Sequence, residues 1–160
     1  MGIQCSIQWF NAIDKIGIDA YYHLQTSNDN ATVDEIVIAW QQFVPLLDNL
    51  AKQWNKPIIF VEIGYTSAYN THAHPDHMEL LAYDDCSVWA LCVFLEEQAN
   101  SYEAAYITFW NLEWFDGMFW WLWRTDPWDG HSSDSGFSPV GKPAENVMTK
   151  WYSQKTNKSF

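Results

Sequence analysis

Positive charge is scarce in this chain: 8 Lys and Arg stand against 20 Asp and Glu over 160 residues, a formal net charge of -12. A surface this acidic repels phosphate backbones and anionic headgroups, so neither nucleic acid nor a membrane surface is an expected partner. Neutral ligands stay open. Cysteine is scarce too. Cys5, Cys86 and Cys92 are odd in number and have no framework or zinc-finger spacing, so small buried hydrophobes are expected instead of a disulfide scaffold. No apolar run is long enough to span a bilayer, and the first residues hold no secretory h-region. Met1-Gly2-Ile3-Gln4-Cys5-Ser6 fits a myristoylation pattern. Asn30-Ala31-Thr32 and Asn157-Lys158-Ser159 are glycosylation sequons that matter only in a secreted protein, so the sequence leaves the compartment unknown. Internal repeats and low-complexity linkers are also missing, and the length suits one domain spanning 1–160.

Aromatic residues are what the chain has in excess, with 11 Trp, 8 Tyr and 9 Phe. Most are expected to fill a core. A ring is also a flat apolar platform suited to the C–H face of a sugar, and composition does not separate the two uses.

Periodicity predicts alternating strands and helices. Ile16 to Tyr22 reads as a strand, and a polar loop around Ser27–Asn30 follows. Thr32 and Glu35 make a capping box for a helix whose apolar face is Val33, Ile36, Val37, Trp40, Val44 and Leu47, with a kink expected at Pro45. Residues 58–65 form a second, nearly all-apolar strand, as in a parallel sheet buried on both faces. Helical sequence runs from about Met78 to Asn111, with a break expected near Asn100-Ser101. A third strand covers 117–123, and a helix opens at Pro143. Such alternation implies an α/β fold with a parallel sheet, either doubly wound or part of a barrel. Three strands complete neither, and both edges of the sheet would lie open.

Glu62 carries the sharpest chemical signal. Strict alternation puts Ile58, Phe60, Glu62 and Gly64 on one face of its strand and Ile59, Val61 and Ile63 on the other. A carboxylate among apolar neighbours must be paired or serve chemistry, and this one ends its strand where α/β barrels keep active sites. On the first strand Gly17, Asp19 and Tyr21 share a face, so a phenol within reach of Glu62 can orient the carboxylate. A structural acid and a core ring are the competing readings for Asp19 and Tyr21. On the third strand Phe119, Trp121 and Trp123 share one face, expected to be the inner one, and Met118, Trp120 and Leu122 the other. His72, His74, Asp76 and His77 have spacing that can bind zinc or nickel weakly, but a solvated loop is the better reading, so no metal is expected. Arg124 with Asp126 and Asp129 reads as a surface ion pair or as a source of sugar contacts.

The three strand motifs, Ile16-Gly17-Ile18-Asp19-Ala20-Tyr21-Tyr22, Lys56 to Tyr65 and Phe115 to Trp123, resemble strands six, seven and eight of glycoside hydrolase family 113. Glu97-Gln98-Ala99-Asn100-Ser101-Tyr102-Glu103-Ala104 and the closing Gly136 to Glu145 resemble that family as well. The resemblance implies the last three βα units of a (β/α)8 TIM barrel, incomplete in this chain, from a retaining glycosidase acting on β-1,4-mannans. By that likeness Glu62 is the nucleophile, Tyr21 its hydrogen-bond partner, Trp121 the sugar platform and Asp19 part of the pocket. Trp123, on the same predicted face as Trp121, is a further candidate for sugar contact. No cofactor is implied.

Two departures qualify the resemblance. The family's acid/base Glu directly follows an Asn on strand four, and this sequence contains no Asn-Glu dipeptide. Retaining hydrolysis needs two carboxyls about 5–5.5 Å apart. Strands one to five are therefore expected to lie in a missing N-terminal barrel half, and the chain alone is expected to be inactive. Residues 82–92 match nothing in the family. The competing functions are a non-catalytic carbohydrate-binding protein using the Trp-rich face, and a metal-binding or structural protein.

Overall fold

The computed structural model describes residues 9–76, 93–125 and 133–154. The three cysteines, the Met1–Ser6 pattern, the second sequon, the 82–92 segment, His77, Asp126, Asp129 and the predicted helix start at Met78 lie outside the described residues.

Three strands, β1 (Ile16–Asp19), β2 (Ile58–Ile63) and β3 (Phe115–Trp120), form one parallel sheet in the order β1-β2-β3. Between them run α1 (Val33–Trp40), α2 (Val44–Trp54) and α3 (Leu95–Phe109), and α4 (Pro143–Tyr152) follows β3. Parallel neighbours require such crossovers. All four helices share one core with Ile16, Ile58, Phe60, Ile63, Phe115 and Met118, so they cover one face of the sheet. The other face is open: Val61 is 43% and Phe119 63% exposed. Among the described residues the helices lie on one face only, as they do in a barrel wall.

Aromatic rings make the contact between helices and sheet. Trp40, Phe60, Phe109 and Phe115 meet edge to face at centroid distances of 4.9–5.0 Å. Tyr102 stacks on Trp120 at 3.6 Å, and the Trp120 indole N–H donates to the Tyr106 hydroxyl at 2.7 Å. Much of the aromatic excess is therefore core, each pair adding about 0.5–1.5 kcal/mol beyond its buried area.

The elements differ from the sequence expectations in particular ways. The capping box at Thr32 and Glu35 forms, but the predicted kinked helix is two helices. Pro45 has no N–H to give and sits in the first turn of α2, where none is needed, so the chain restarts there instead of bending. The strands are shorter than expected, and β3 begins two residues earlier, at Phe115. α3 runs unbroken through Asn100 and Ser101 because both side chains are satisfied: Asn100 donates to the Ala31 carbonyl at 3.2 Å and Ser101 to the Glu97 carbonyl at 2.9 Å.

Two bulges set the faces. Phe60 pairs with Ile18 and Met118, whereas Glu62 pairs with Asp19 and Ile63 with Trp120, so β2 carries one extra residue there. A second extra residue in β3 lies between the partners of Ile58 and Ile59, and Gly117 with φ 138° accommodates it.

Candidate functional site

The bulge in β2 overturns the predicted alternation. Ile58, Phe60 and Ile63 are buried toward the helices, while Ile59, Val61 and Glu62 are not. Strict period two would have sent Glu62 into the aromatic core with Phe60. The inserted residue turns it away from that core and buries Ile63 in its place.

Glu62 meets Tyr21 there. The Tyr21 hydroxyl donates to Glu62 Oε2 at 3.2 Å. Partial burial, then the Glu62 hydrogen bond and the charges of Glu62 and Asp19, push the phenol pKa well above its ordinary value. Tyr21 thus stays protonated and remains a donor to the carboxylate. Gly17 lies opposite Val61 on the same face, since a Cβ on Gly17 would stand 3.0 Å from the Val61 side chain. Asp19, paired across the sheet with Glu62, is exposed at the end of β1.

The backbone after Glu62 is pinned at successive residues. The Glu62 carbonyl accepts from Ala20 N at 2.6 Å and the Ile63 carbonyl from Trp121 N at 2.7 Å. A Cβ on Gly64 would stand 2.4 Å from the Trp121 carbonyl oxygen, so only glycine allows this approach. Trp121 and Trp123 lie beyond the end of β3 and are 45% and 50% exposed, while Phe119 is the member of that predicted trio within the strand. Met118 and Trp120 pack into the core as expected.

The predicted solvated His loop is not solvated at His72. That imidazole is fully buried, with Nδ1 2.5 Å from Glu97 Oε1 and Nε2 2.8 Å from Thr26 Oγ1. Thr26 already donates to the Asn28 carbonyl at 2.6 Å, so His72 Nε2–H is the donor to Thr26. His72 Nδ1 then faces Glu97, whose pKa burial pushes up against the lowering effect of the imidazole. His23 pairs with Asp76 at 3.3 Å, and its ring meets His74 edge-on. Among the described residues no group of three or more His, Cys, Asp or Glu is placed to hold a metal ion, and no helix is long and apolar enough to cross a membrane. Arg124 is exposed.

Glu97 and Gln98 belong to a family-like sequence motif that by itself assigns them no role. Both side chains are buried at the start of α3. Gln98 Nε2 reaches the Tyr65 carbonyl at 2.9 Å and the Phe137 carbonyl at 3.0 Å, and its Oε1 accepts from Ser67 Oγ at 2.8 Å. Lys142 completes this layer, its buried ammonium bonded to Asp134 Oδ2 and the Gly136 carbonyl at 3.0 Å each. Burial lowers the Lys142 pKa, and Asp134 opposes the shift. The signal in the sequence is two long polar residues flanked by Ala99, Ser101, Ala104 and Ala105, small residues typical of a tightly packed helix face.

Solved structures share this fold. A GH113 β-1,4-mannanase superposes with a TM-score of 0.72 at 22% identity, over 93% of this chain and 42% of its own. The GH113 β-mannanase AaManA from Alicyclobacillus acidocaldarius, in complex with ManMIm, gives 0.66 at 29% identity, over 92% of this chain and 41% of its own. A further GH113 β-1,4-mannanase structure gives 0.69 at 22% identity, over 93% of this chain and 42% of its own. The chain thus spans about two fifths of the length of these solved structures, which makes its sheet part of a (β/α)8 barrel. No curated protein matches. The family model described as Glycoside Hydrolase Family 113 matches residues 3–142, and on that match the chain belongs to Glycoside Hydrolase Family 113.

Proposed function

We propose that this chain is the strand-six-to-eight portion of a retaining β-mannanase-type glycosidase, with Glu62 as its nucleophile. The Tyr21–Glu62 hydrogen bond carries the reading: in a family 113 chain, it holds a carboxylate at the C-terminal end of a barrel strand, turned away from the core. Tyr21 engages Oε2 and leaves Oε1 to attack the anomeric carbon as its glycosidic C–O bond breaks and the acid/base partner protonates the leaving oxygen. Water, deprotonated by the same partner, then releases the sugar from Glu62. Trp121 and Trp123 offer exposed indole faces for the sugar, and Asp19 supplies a hydroxyl contact beside Tyr21.

The acid/base partner comes from five further βα units, whether in the same polypeptide or another. Among the described residues neither outer strand has a second neighbour, and such edges call for pairing. A cavity of about 350 Å³ runs along β3, lined among others by Lys15, Ile59, Trp110, Asp116, Phe119 and Tyr152, and Glu62 does not line it. We assign it to packing against that half and not to substrate. Without the acid/base that this half supplies, a lone nucleophile does not turn over substrate.

The test is complementation. The chain, joined to or mixed with the first five βα units of a family 113 mannanase, is expected to release reducing sugar from β-1,4-mannan. Glu62→Gln should abolish turnover in that assembly. Restored folding without turnover would sink the catalytic reading. A second reading, sugar binding without hydrolysis, is favoured by the exposure of Trp121 and Trp123. It is the outcome if calorimetry detects mannooligosaccharide binding to an assembly that stays inactive.

A further inference from the structure

We propose that Gln98 is a positioning residue for Glu62, setting through one buried carboxamide the course of the backbone that leaves β2. The inference rests on the reading of Glu62 as nucleophile.

Gln98 belongs to α3, yet all its side-chain contacts of polar type go to segments that follow strands. Its Nε2 donates to the Tyr65 carbonyl at 2.9 Å and the Phe137 carbonyl at 3.0 Å, with the Gly136 carbonyl at 3.4 Å. Its Oε1 accepts from Ser67 Oγ at 2.8 Å. Ser67 N in turn donates to the Ser135 and Gly136 carbonyls at 3.0 and 3.2 Å, so the segments after β2 and β3 are stitched side by side around the carboxamide. Tyr65 is three residues beyond Glu62, and the intervening Ile63 and Gly64 are fixed against Trp121. Ile63 and Gly64 join Tyr65 directly to Glu62, so a shift of the Tyr65 carbonyl is carried along this short backbone link toward the carboxylate.

The residue type follows from the contacts. The site presents carbonyls to one end of the side chain and a hydroxyl donor to the other, in full burial. An amide satisfies both ends at once. A carboxylate of the same shape would turn an acceptor toward the carbonyls, and an apolar chain would leave them buried without a donor. Glu97, one residue earlier, makes the corresponding link to the segment after β1 through His72 and Thr26. Adjacent positions on one helix therefore tie together the segments following all three strands.

The experiment uses the isosteric Gln98→Glu and the milder Ser67→Ala, which removes only the donor to Oε1. In the full chain labelled with 15N, both are expected to move the amide resonances of Glu62–Ser67 and 135–137 while leaving those of α2 in place. In the complemented mannanase, kcat per folded site is expected to fall tenfold or more for Gln98→Glu with KM within twofold, since misplacing a reacting group by about 1 Å costs on the order of 10²-fold. Ser67→Ala should fall in the same direction by less. A role in stability alone would lower the folded fraction and leave kcat per folded site unchanged, and that result overturns the proposal. If the wild-type assembly shows no turnover, the function has failed, and the resonances alone decide: unmoved amides at Glu62–Ser67 refute positioning.

Discussion

Replacing Gly64 with Ala puts the close approach behind Glu62 to the most direct test. The added Cβ would meet the Trp121 carbonyl oxygen at 2.4 Å, Phe137 Cδ1 at 3.1 Å and Trp121 Cβ at 3.2 Å. Restoring ordinary contact requires a movement of roughly 1 Å. A flexible side chain could absorb that, but the nearest obstacle is backbone, and Trp121 is already tied to Ile63 by its own N–H. Overpacking of this kind costs about 1–3 kcal/mol, and a rigid obstacle puts this site at the upper end. The smaller conformational freedom of Ala in the unfolded chain offsets about 0.4–1 kcal/mol. A net loss of about 2 kcal/mol is expected, or a fall in Tm of roughly 4–8 °C for a domain of this size. Gly17→Ala is the control, because its Cβ meets only the Val61 side chain at 3.0 Å, and Val61 is 43% exposed with room to rotate. It should change Tm by less than about 2 °C. Thermal and urea unfolding of the two variants beside the wild type measure both quantities. Equal stability of Gly64→Ala and Gly17→Ala would refute the argument that the Trp121 carbonyl fixes the residues behind Glu62.

Other perturbations have equally definite outcomes. Tyr21→Phe removes the donor at 3.2 Å to Glu62 and should lower kcat/KM of the complemented enzyme about tenfold, leaving Tm within a few degrees; unchanged kinetics would remove Tyr21 from the site. Glu97 has its pKa raised by burial, so its contribution to stability is complete below its ordinary value of 4.5 and is lost as pH climbs through the folded value. Glu97→Gln should flatten that decline in a pH series of urea midpoints, and an unaltered slope would mean that Glu97 is not its source. Glu35 lies at the opposite sign: hydrogen bonds from the Thr32 backbone, then the Thr32, Asn28 and Ser27 side chains, lower its pKa to about 2. Its stabilisation is present above 4.5 and is lost as pH falls toward 2, a loss that Glu35→Gln should remove from an acid titration followed by circular dichroism. Thr32→Ala, which removes the N-cap of α1, should cost about 1 kcal/mol in chemical unfolding.

What could be read from the residues was whatever is local or periodic. The capping box at Thr32 needs only a four-residue window, and the apolar run Ile58–Ile63 announces a strand by composition. Alternation predicted one face for Gly17, Asp19 and Tyr21, but β1 ends at Asp19 and Tyr21 reaches Glu62 from beyond the strand. The same rule failed on β2, because a bulge is a disagreement in register between two strands and neither sequence contains it alone. His72 was misread for a related reason. Its neighbours His74 and Asp76 look like a polar loop, while the partners that bury it, Thr26 and Glu97, are 46 and 25 residues away.

By itself the sequence determined the order of strands and helices, the aromatic stock of the core, the placing of an acid at the end of β2, and the family motifs. Those properties depend on nearest neighbours and on period. The tertiary structure decided which face of β2 Glu62 occupies, that the helices cover one side of the sheet, and that Gln98 and Glu97 bind the segments following the strands. Each of these is fixed by hydrogen bonds and contacts between residues far apart in the chain, whose pairing exists only once the sheet has assembled.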